Sequence, residues 1–187
     1  NKIQNIITKK DLYITIPVKK KSLKSKENLI MNLLIDYQSN WKKKHLNSIN
    51  QILGKQKNYH LIEDLIEKIY SYKSENLFDF LFNQLSVLLN FLEIKTQIVK
   101  SSELNTKSNK ELKIIEICKT IGADEYVSGP YGIKYLNKSL FDKNNIQLKY
   151  YENNNINDFF DERIINYSII YSLSIYGKEL KNYFYEK

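Results

Sequence analysis

The sequence predicts an α/β fold: a mostly parallel sheet flanked by helices in a Rossmann-like layered architecture. Two observations carry this. Short runs with strand character, near 12–18, 94–99, 124–128 and 146–150, are interleaved with segments whose apolar residues recur at helical spacing, near 40–53, 61–72, 75–92 and 110–121; that alternation is the mark of strand–helix–strand units. The stretch from Gly122 to Tyr135 then gathers three of the chain's five glycines and one of its two prolines where a helix, a short apolar run and a turn meet. A length of 187 residues suits one domain with a sizeable core, and a single domain over 1–187 is expected.

The first run, Leu12 to Val18, alternates, with Leu12, Ile14, Ile16 and Val18 on one face. Pro17 near its end suits an edge or the strand's exit. Lys19 to Lys26 reads as a solvated basic loop, and Asn28 to Ile35 as a second strand. Ser39 is placed to cap a helix with Trp41, Leu46, Ile49, Ile52 and Leu53 on its apolar side and Gly54 at its close. His45, four residues after Trp41, shares that face. Leu61 to Tyr72 and Ser74 to Leu92 follow as helices, the second with Phe78, Leu81, Leu85, Leu88 and Leu92 at the 3.6-residue period.

Ile94 to Val99 is expected as a strand, followed by a polar loop. Ser108 and Glu111 have the spacing of a capping box, in which each side chain satisfies a free backbone donor at the helix start. The helix behind them places Ile114, Ile117, Cys118 and Ile121 on one stripe. Gly122 ends it by taking a left-handed conformation closed to residues with a Cβ. Tyr135 to Asp142 reads as a short helix, Ile146 to Tyr150 as a strand, and ENNNIND as an Asn-rich loop. The last helical region spans about Ser168 to Tyr185, interrupted at Gly177.

Ser128 to Gly132 follows the short strand Glu125-Tyr126-Val127 at its carboxyl end, where open α/β sheets bind ligands. Ser128, Gly129, Tyr131, Gly132 and Tyr135 are therefore the candidate substrate-binding residues. The glycines are expected to supply positive φ and close backbone approach. Ser101 and Ser102 join the set because they follow directly on the strand expected at 94–99. His45 is the candidate catalytic base, since three preceding lysines would lower its pKa and leave a neutral imidazole. Cys118 lies in an apolar stripe and is read as an inert core thiol. His60 is read as exposed.

The net charge of +8 invites a nucleic-acid reading, but of 29 basic residues only Arg163 is arginine. Readers of phosphate and guanine lean on the arginine fork, so a nucleic-acid partner is not expected. No dinucleotide, P-loop, zinc-protease, Cys-x-x-Cys or nucleophile-elbow signature occurs. No metal set is expected, and no cofactor is named. No apolar run is long enough to span a membrane. The single Cys118 fits a reducing compartment, and a cytoplasmic location is expected. The chain begins at Asn1 rather than Met, so an N-terminally truncated fragment is expected.

The chain resembles the WbqC-like family of bacterial proteins nearly end to end. The resemblance is carried by NKIQ at Asn1, YITIPVKK (Tyr13 to Lys20), SNWKKKHLNSI (Ser39 to Ile49), LEIKTQIVKSSEL (Leu92 to Leu104), IEICKTIGADEYVSGPYGIKYL (Ile115 to Leu136) and FDKNNIQLKY (Phe141 to Tyr150). The gapless block from Ile115 to Leu136 is the most specific of these. The resemblance implies an upstream His-Gln-Pro segment that this sequence lacks. It also implies Ser-Ile-Ile-Asp near the end, where Ser168, Ile169 and Ile170 are followed here by Tyr171. It implies a role in surface polysaccharide (O-antigen) biosynthesis, as a transferase acting on an activated sugar or acyl donor. The alternative is a non-catalytic binding or scaffold protein of the same pathway.

Overall fold

The computed structural model describes residues 2–4, 11–24, 29–151 and 167–181. The Asn-rich stretch after Tyr151 and the end of the final predicted helix lie outside these residues. Tertiary contacts divide the chain into two compact units, Asn1–Lys95 with Phe160–Lys187, and Thr96–Phe159. Among the described residues there are six α-helices and two small sheets, so the fold is mixed helix and strand with one parallel pair.

In the first unit, β1 (Lys2–Gln4) pairs antiparallel with β2 (Asp11–Tyr13), Ile3 opposite Leu12. The strand expected over 12–18 thus ends early and resumes as a single bridge, Val18 to Ile35. The strand expected over 28–35 is instead a short 3₁₀ turn at Ile30–Asn32 followed by isolated bridges at Leu34 and Ile35. A short apolar run does not by itself supply a partner for its backbone donors and acceptors, and here the partners come one at a time.

Three helices follow: α1 (Trp41–Leu53), α2 (Glu63–Ser71) and α3 (Leu77–Phe91). Helix α1 buries Trp41, His45, Ile49 and Leu53, one residue per turn. Its N-cap is Asn40 rather than Ser39, with no side-chain cap bond. Helix α3 is capped by Asn76, whose Oδ1 accepts from the Asp79 N–H at 3.1 Å. Its buried face is Leu77, Phe80 and Val87, one position away from most of the predicted stripe, and Leu85 is 43% exposed. The helix is apolar on most sides, so its period marks a helix without selecting the face. Around it, Ile49, Leu53, Ile62, Val87, Tyr171 and Leu173 belong to one core cluster. Ile35, Trp41, Leu77 and Phe80 form a second. Tyr171 comes from α6 (Ile169–Tyr176), which ends at Gly177 as the sequence predicts.

The strand expected over 94–99 does not form: these residues have no regular pairing, and Ile98 and Val99 are exposed. The chain leaves the first unit within that stretch, at Lys95.

The second unit is a compact strand–helix arrangement. Helix α4 (Lys110–Ile121) closes at Gly122, whose φ of 72° lets Ala123 N–H reach the Cys118 carbonyl at 2.8 Å and Gly122 N–H the Lys119 carbonyl at 3.2 Å. After it come β3 (Glu125–Ser128), a 3₁₀ turn, α5 (Lys138–Asp142) and β4 (Gln147–Tyr150). β3 and β4 pair in parallel, Tyr126 opposite Leu148 and Ser128 opposite Tyr150, with the helical connection that parallel neighbours require. Ile115, Cys118, Leu136, Phe141, Ile146 and Leu148 make this unit's core. The Tyr126 ring stacks on Phe141 with centroids 5.7 Å apart.

Candidate functional site

Two regions hold the sequence-predicted site residues, one in each unit. His45 lies in the first. Spaced four residues from Trp41 on α1, its ring meets the Trp41 ring edge-on at 5.1 Å and the Tyr70 ring at 5.9 Å. Its Nε2 is 3.1 Å from the Thr15 carbonyl, so Nε2 carries the proton and donates. That leaves the Nδ1 lone pair to accept from the Tyr70 hydroxyl at 3.2 Å. Burial pushes the His45 pKa down, against the Thr15 hydrogen bond. The direction matches the expectation from three preceding lysines, but the leading cause is desolvation. Burial also pushes Tyr70 up to about 12, so this hydroxyl stays protonated.

Lys42 completes the cluster. Its ammonium donates to the Tyr70 and Tyr72 carbonyls at 2.8 and 2.6 Å, at the end of α2, where a cation suits the free carbonyls and the helix dipole. It also lies 5.1 Å from the centre of the Phe80 ring. Burial and the charge of Lys73 lower its pKa. The indole N–H of Trp41 is buried and has no hydrogen-bond partner among the described residues. His45 is thus an imidazole with both nitrogens engaged, in a packed aromatic setting.

The second region is the turn after β3. Ser128 ends the strand on its buried face, and its carbonyl accepts from Tyr151 N–H at 2.7 Å, carrying the parallel ladder one step further. Gly129 and Gly132 do not have the positive φ expected of them; only Gly122 and Gly177 do. Gly132 is required for another reason. A Cβ there would come within 2.0 Å of Ser128 Oγ and 2.9 Å of its Cβ, so the turn folds onto the serine only because this residue has none. At Gly129 a Cβ would meet nothing within 4 Å. The turn's N–H groups are partly used internally, Gly132 bonding to Gly129 and both Tyr135 and Leu136 to the Gly132 carbonyl.

The turn holds its aromatic side chains outward. Tyr131 is 74% and Tyr135 65% exposed, with the Lys134 ammonium 5.3 Å from the Tyr131 ring centre. Behind them, burial raises the pKa of Tyr126, Tyr135 raises it further, and a hydrogen bond with the Ser128 side chain opposes both. The Ser128 hydroxyl donates to the Gly129 carbonyl at 3.2 Å, and the Tyr126 ring packs inward on Phe141. Beside Tyr135 opens a cleft of about 400 Å³ lined by Lys110, Glu111, Ile114, Tyr135 and Leu136.

Ser101 and Ser102 lie in a separate exposed turn, closed by Glu103 N–H to the Lys100 carbonyl at 2.9 Å. Tyr126, Lys110 and Glu111 were not singled out as site residues by the sequence. In the sequence Tyr126 is an ordinary strand residue, although its i, i+2 relation to Ser128 puts both on one face. The spacing of Ser108 and Glu111 predicts a capping box. That box is not formed: the cap is Asn109, Glu111 Oε1 accepts from Asn137 N–H at 2.6 Å, and the Lys107 and Ser108 N–H groups go to Glu116. Those donors, Ser108 first, hold the Glu116 carboxyl below its usual range. Cys118 is buried and its pKa is raised by burial, as its apolar stripe predicts. Tyr171, where the resemblance expects an acid, is in the first unit's core.

The described residues define a mixed helix–strand protein with a hydroxyl-lined turn at the carboxyl end of a parallel pair. No helix among them is long and apolar enough to cross a membrane. The chain belongs to the WbqC-like protein family, which it matches over residues 1–182. It is similar to the uncharacterized protein Rv1507c of Mycobacterium tuberculosis (strain ATCC 25618 / H37Rv), with 24% identity over 148 residues, covering 79% of this chain and 63% of that protein. The chain therefore spans less than two thirds of that relative's length. No solved structure matches it.

Proposed function

We propose that the protein binds an activated sugar or acyl donor at the turn after β3 and acts as a transferase in bacterial surface polysaccharide (O-antigen) synthesis. The observation that supports this best is the place of the turn: it follows the carboxyl end of a parallel strand, where α/β sheets receive ligands, and its Tyr135 lines an open cleft. Ser128, Gly129, Tyr131, Gly132 and Tyr135 shape and line that position. Ser101 and Ser102 are further candidates within the same unit. The reading takes β3 and β4 as part of a larger, mostly parallel Rossmann-like sheet in one family domain, and the cytoplasm as the place where activated donors are met. The second reading, a non-catalytic binding protein of the same pathway, is favoured by His45. As the candidate base it is neutral, but both of its nitrogens are engaged, so the binding function is stated on the turn alone.

Calorimetric titration of the chain with nucleotide-linked sugars and acyl-coenzyme A tests the reading. Tyr135→Ala is expected to weaken donor binding at least tenfold, while a surface substitution of this kind changes stability by about 0.5 kcal/mol or less. Unchanged affinity in the folded variant removes the turn from the site. Transfer of the bound group to an added acceptor separates the enzyme from the binding protein.

A further inference from the structure

The cleft beside Tyr135 brings apolar, aromatic and charged groups into one wall. Ile114 and Leu136 supply an apolar surface and Tyr135 an exposed aromatic ring. Lys110 and Glu111 supply the two charges. Glu111 is held in place through Oε1, which accepts the Asn137 N–H at 2.6 Å. An ionised carboxylate accepts only, and its two oxygens offer about four lone-pair sites, so acceptor capacity remains beyond that one bond. The Lys110 ammonium has no hydrogen bond or ion pair among the described residues and is a donor in the same wall.

A ligand suited to this wall carries hydroxyl donors towards the carboxylate, hydroxyl acceptors towards the ammonium, and a C–H face against Tyr135, Ile114 and Leu136. A pyranose ring has all three. The acyl part of a simple thioester has a carbonyl acceptor and no hydroxyl donor, so beside Glu111 it would leave the carboxylate's remaining acceptor sites without a donor. A cationic ligand would satisfy Glu111 but meet Lys110. Resting on the reading that the turn binds a donor, we infer that the cleft receives the hexose of a nucleotide-linked sugar, and that Glu111 is the specificity-determining residue that reads its hydroxyls. Sites that hydrogen-bond a substrate hydroxyl discriminate strongly against analogues without it, because the polar group is left unpaired.

The test titrates the whole chain with UDP-glucose, UDP-N-acetylglucosamine and GDP-mannose, with UDP and GDP alone, and with acetyl-coenzyme A. At least one hexose donor is expected to bind ten times or more tightly than its bare nucleotide. Glu111→Gln, which keeps an oxygen to accept the Asn137 N–H, is expected to erase that difference while leaving the circular dichroism spectrum and melting temperature unchanged. Acetyl-coenzyme A binding that depends on Tyr135 but not on Glu111 overturns the hexose assignment and leaves the turn as a donor site. Equal binding of hexose donors and bare nucleotides overturns it as well. Binding of none of these probes overturns this inference together with the reading it rests on.

Discussion

The cluster around Trp41 and the turn after β3 are both built from aromatic rings, and they use them in opposite ways. Trp41 is 3% exposed, wedged among Tyr37, His45, Tyr70 and Phe80. The Tyr37 and Tyr70 hydroxyls and both His45 nitrogens are hydrogen-bonded, while the indole N–H has no partner among the described residues. Tyr131 and Tyr135 project from their turn into solvent, whereas Ser128 is buried and the Tyr126 ring stacks on Phe141. Rings that fill space contribute to stability through burial and edge-to-face contact. Rings left exposed beside a cleft contribute little to folding and are available to a ligand. A conspicuous histidine with a neutral imidazole is thus no sign of a reacting group when both nitrogens already have partners, while an unremarkable turn can leave its side chains free.

The heaviest perturbation falls on the first region. Trp41→Ala removes the ring at the centre of the cluster and should destabilise the protein by about 3–5 kcal/mol, the usual range for emptying a packed aromatic site. Urea denaturation followed by far-ultraviolet circular dichroism measures it. A loss below 1 kcal/mol would mean the cluster is not packed as described.

A smaller effect separates the two glycines of the second region. Gly132→Val drives a side chain into Ser128 and should cost about 1–3 kcal/mol, as overpacking does. Gly129→Val places its side chain in open space and should stay within about 0.5 kcal/mol. Donor binding lost in Gly129→Val at unchanged melting temperature assigns Gly129 to the ligand. Equal destabilisation by both substitutions would refute the close approach at Gly132.

The smallest effect concerns pH. The folded protein holds His45 below its unfolded pKa, so the unfolded chain takes up the proton first. This contribution to stability is complete above about pH 6.5, the ordinary histidine value, and is lost as pH falls from there through the lower folded pKa. The urea midpoint should therefore decline faster between pH 7 and 5 in the wild-type chain than in His45→Gln. Parallel declines would show that the imidazole is not held neutral by burial.

Much of the helical skeleton was legible in advance, because helices are announced locally. The spacing of Trp41, His45, Ile49 and Leu53 repeats with the turn of α1, and Gly122 closes α4 through a left-handed backbone conformation that favours glycine. The break at Gly177 was readable for the same reason, and the runs at Glu125–Ser128 and Gln147–Tyr150 have strand character that each then realises against the other. Family membership was legible as well, through the long block from Ile115 to Leu136.

What the tertiary structure alone decided depends on partners distant in sequence. A strand needs another strand, so the alternating residues 94–99 and most of 12–18 did not form one, while 147–150 did. Helix α3 is apolar on most sides, so only its neighbours chose Leu77, Phe80 and Val87 as the inward face. Nothing local to Glu111 shows that its carboxylate goes to Asn137 instead of its own helix start. Nor does anything beside His45 foretell that Thr15 and Tyr70 take both of its nitrogens. Gly132 is the sharpest case: its residue type is visible in the sequence, but its purpose, room for the Ser128 side chain, exists only once the turn has folded back on the strand.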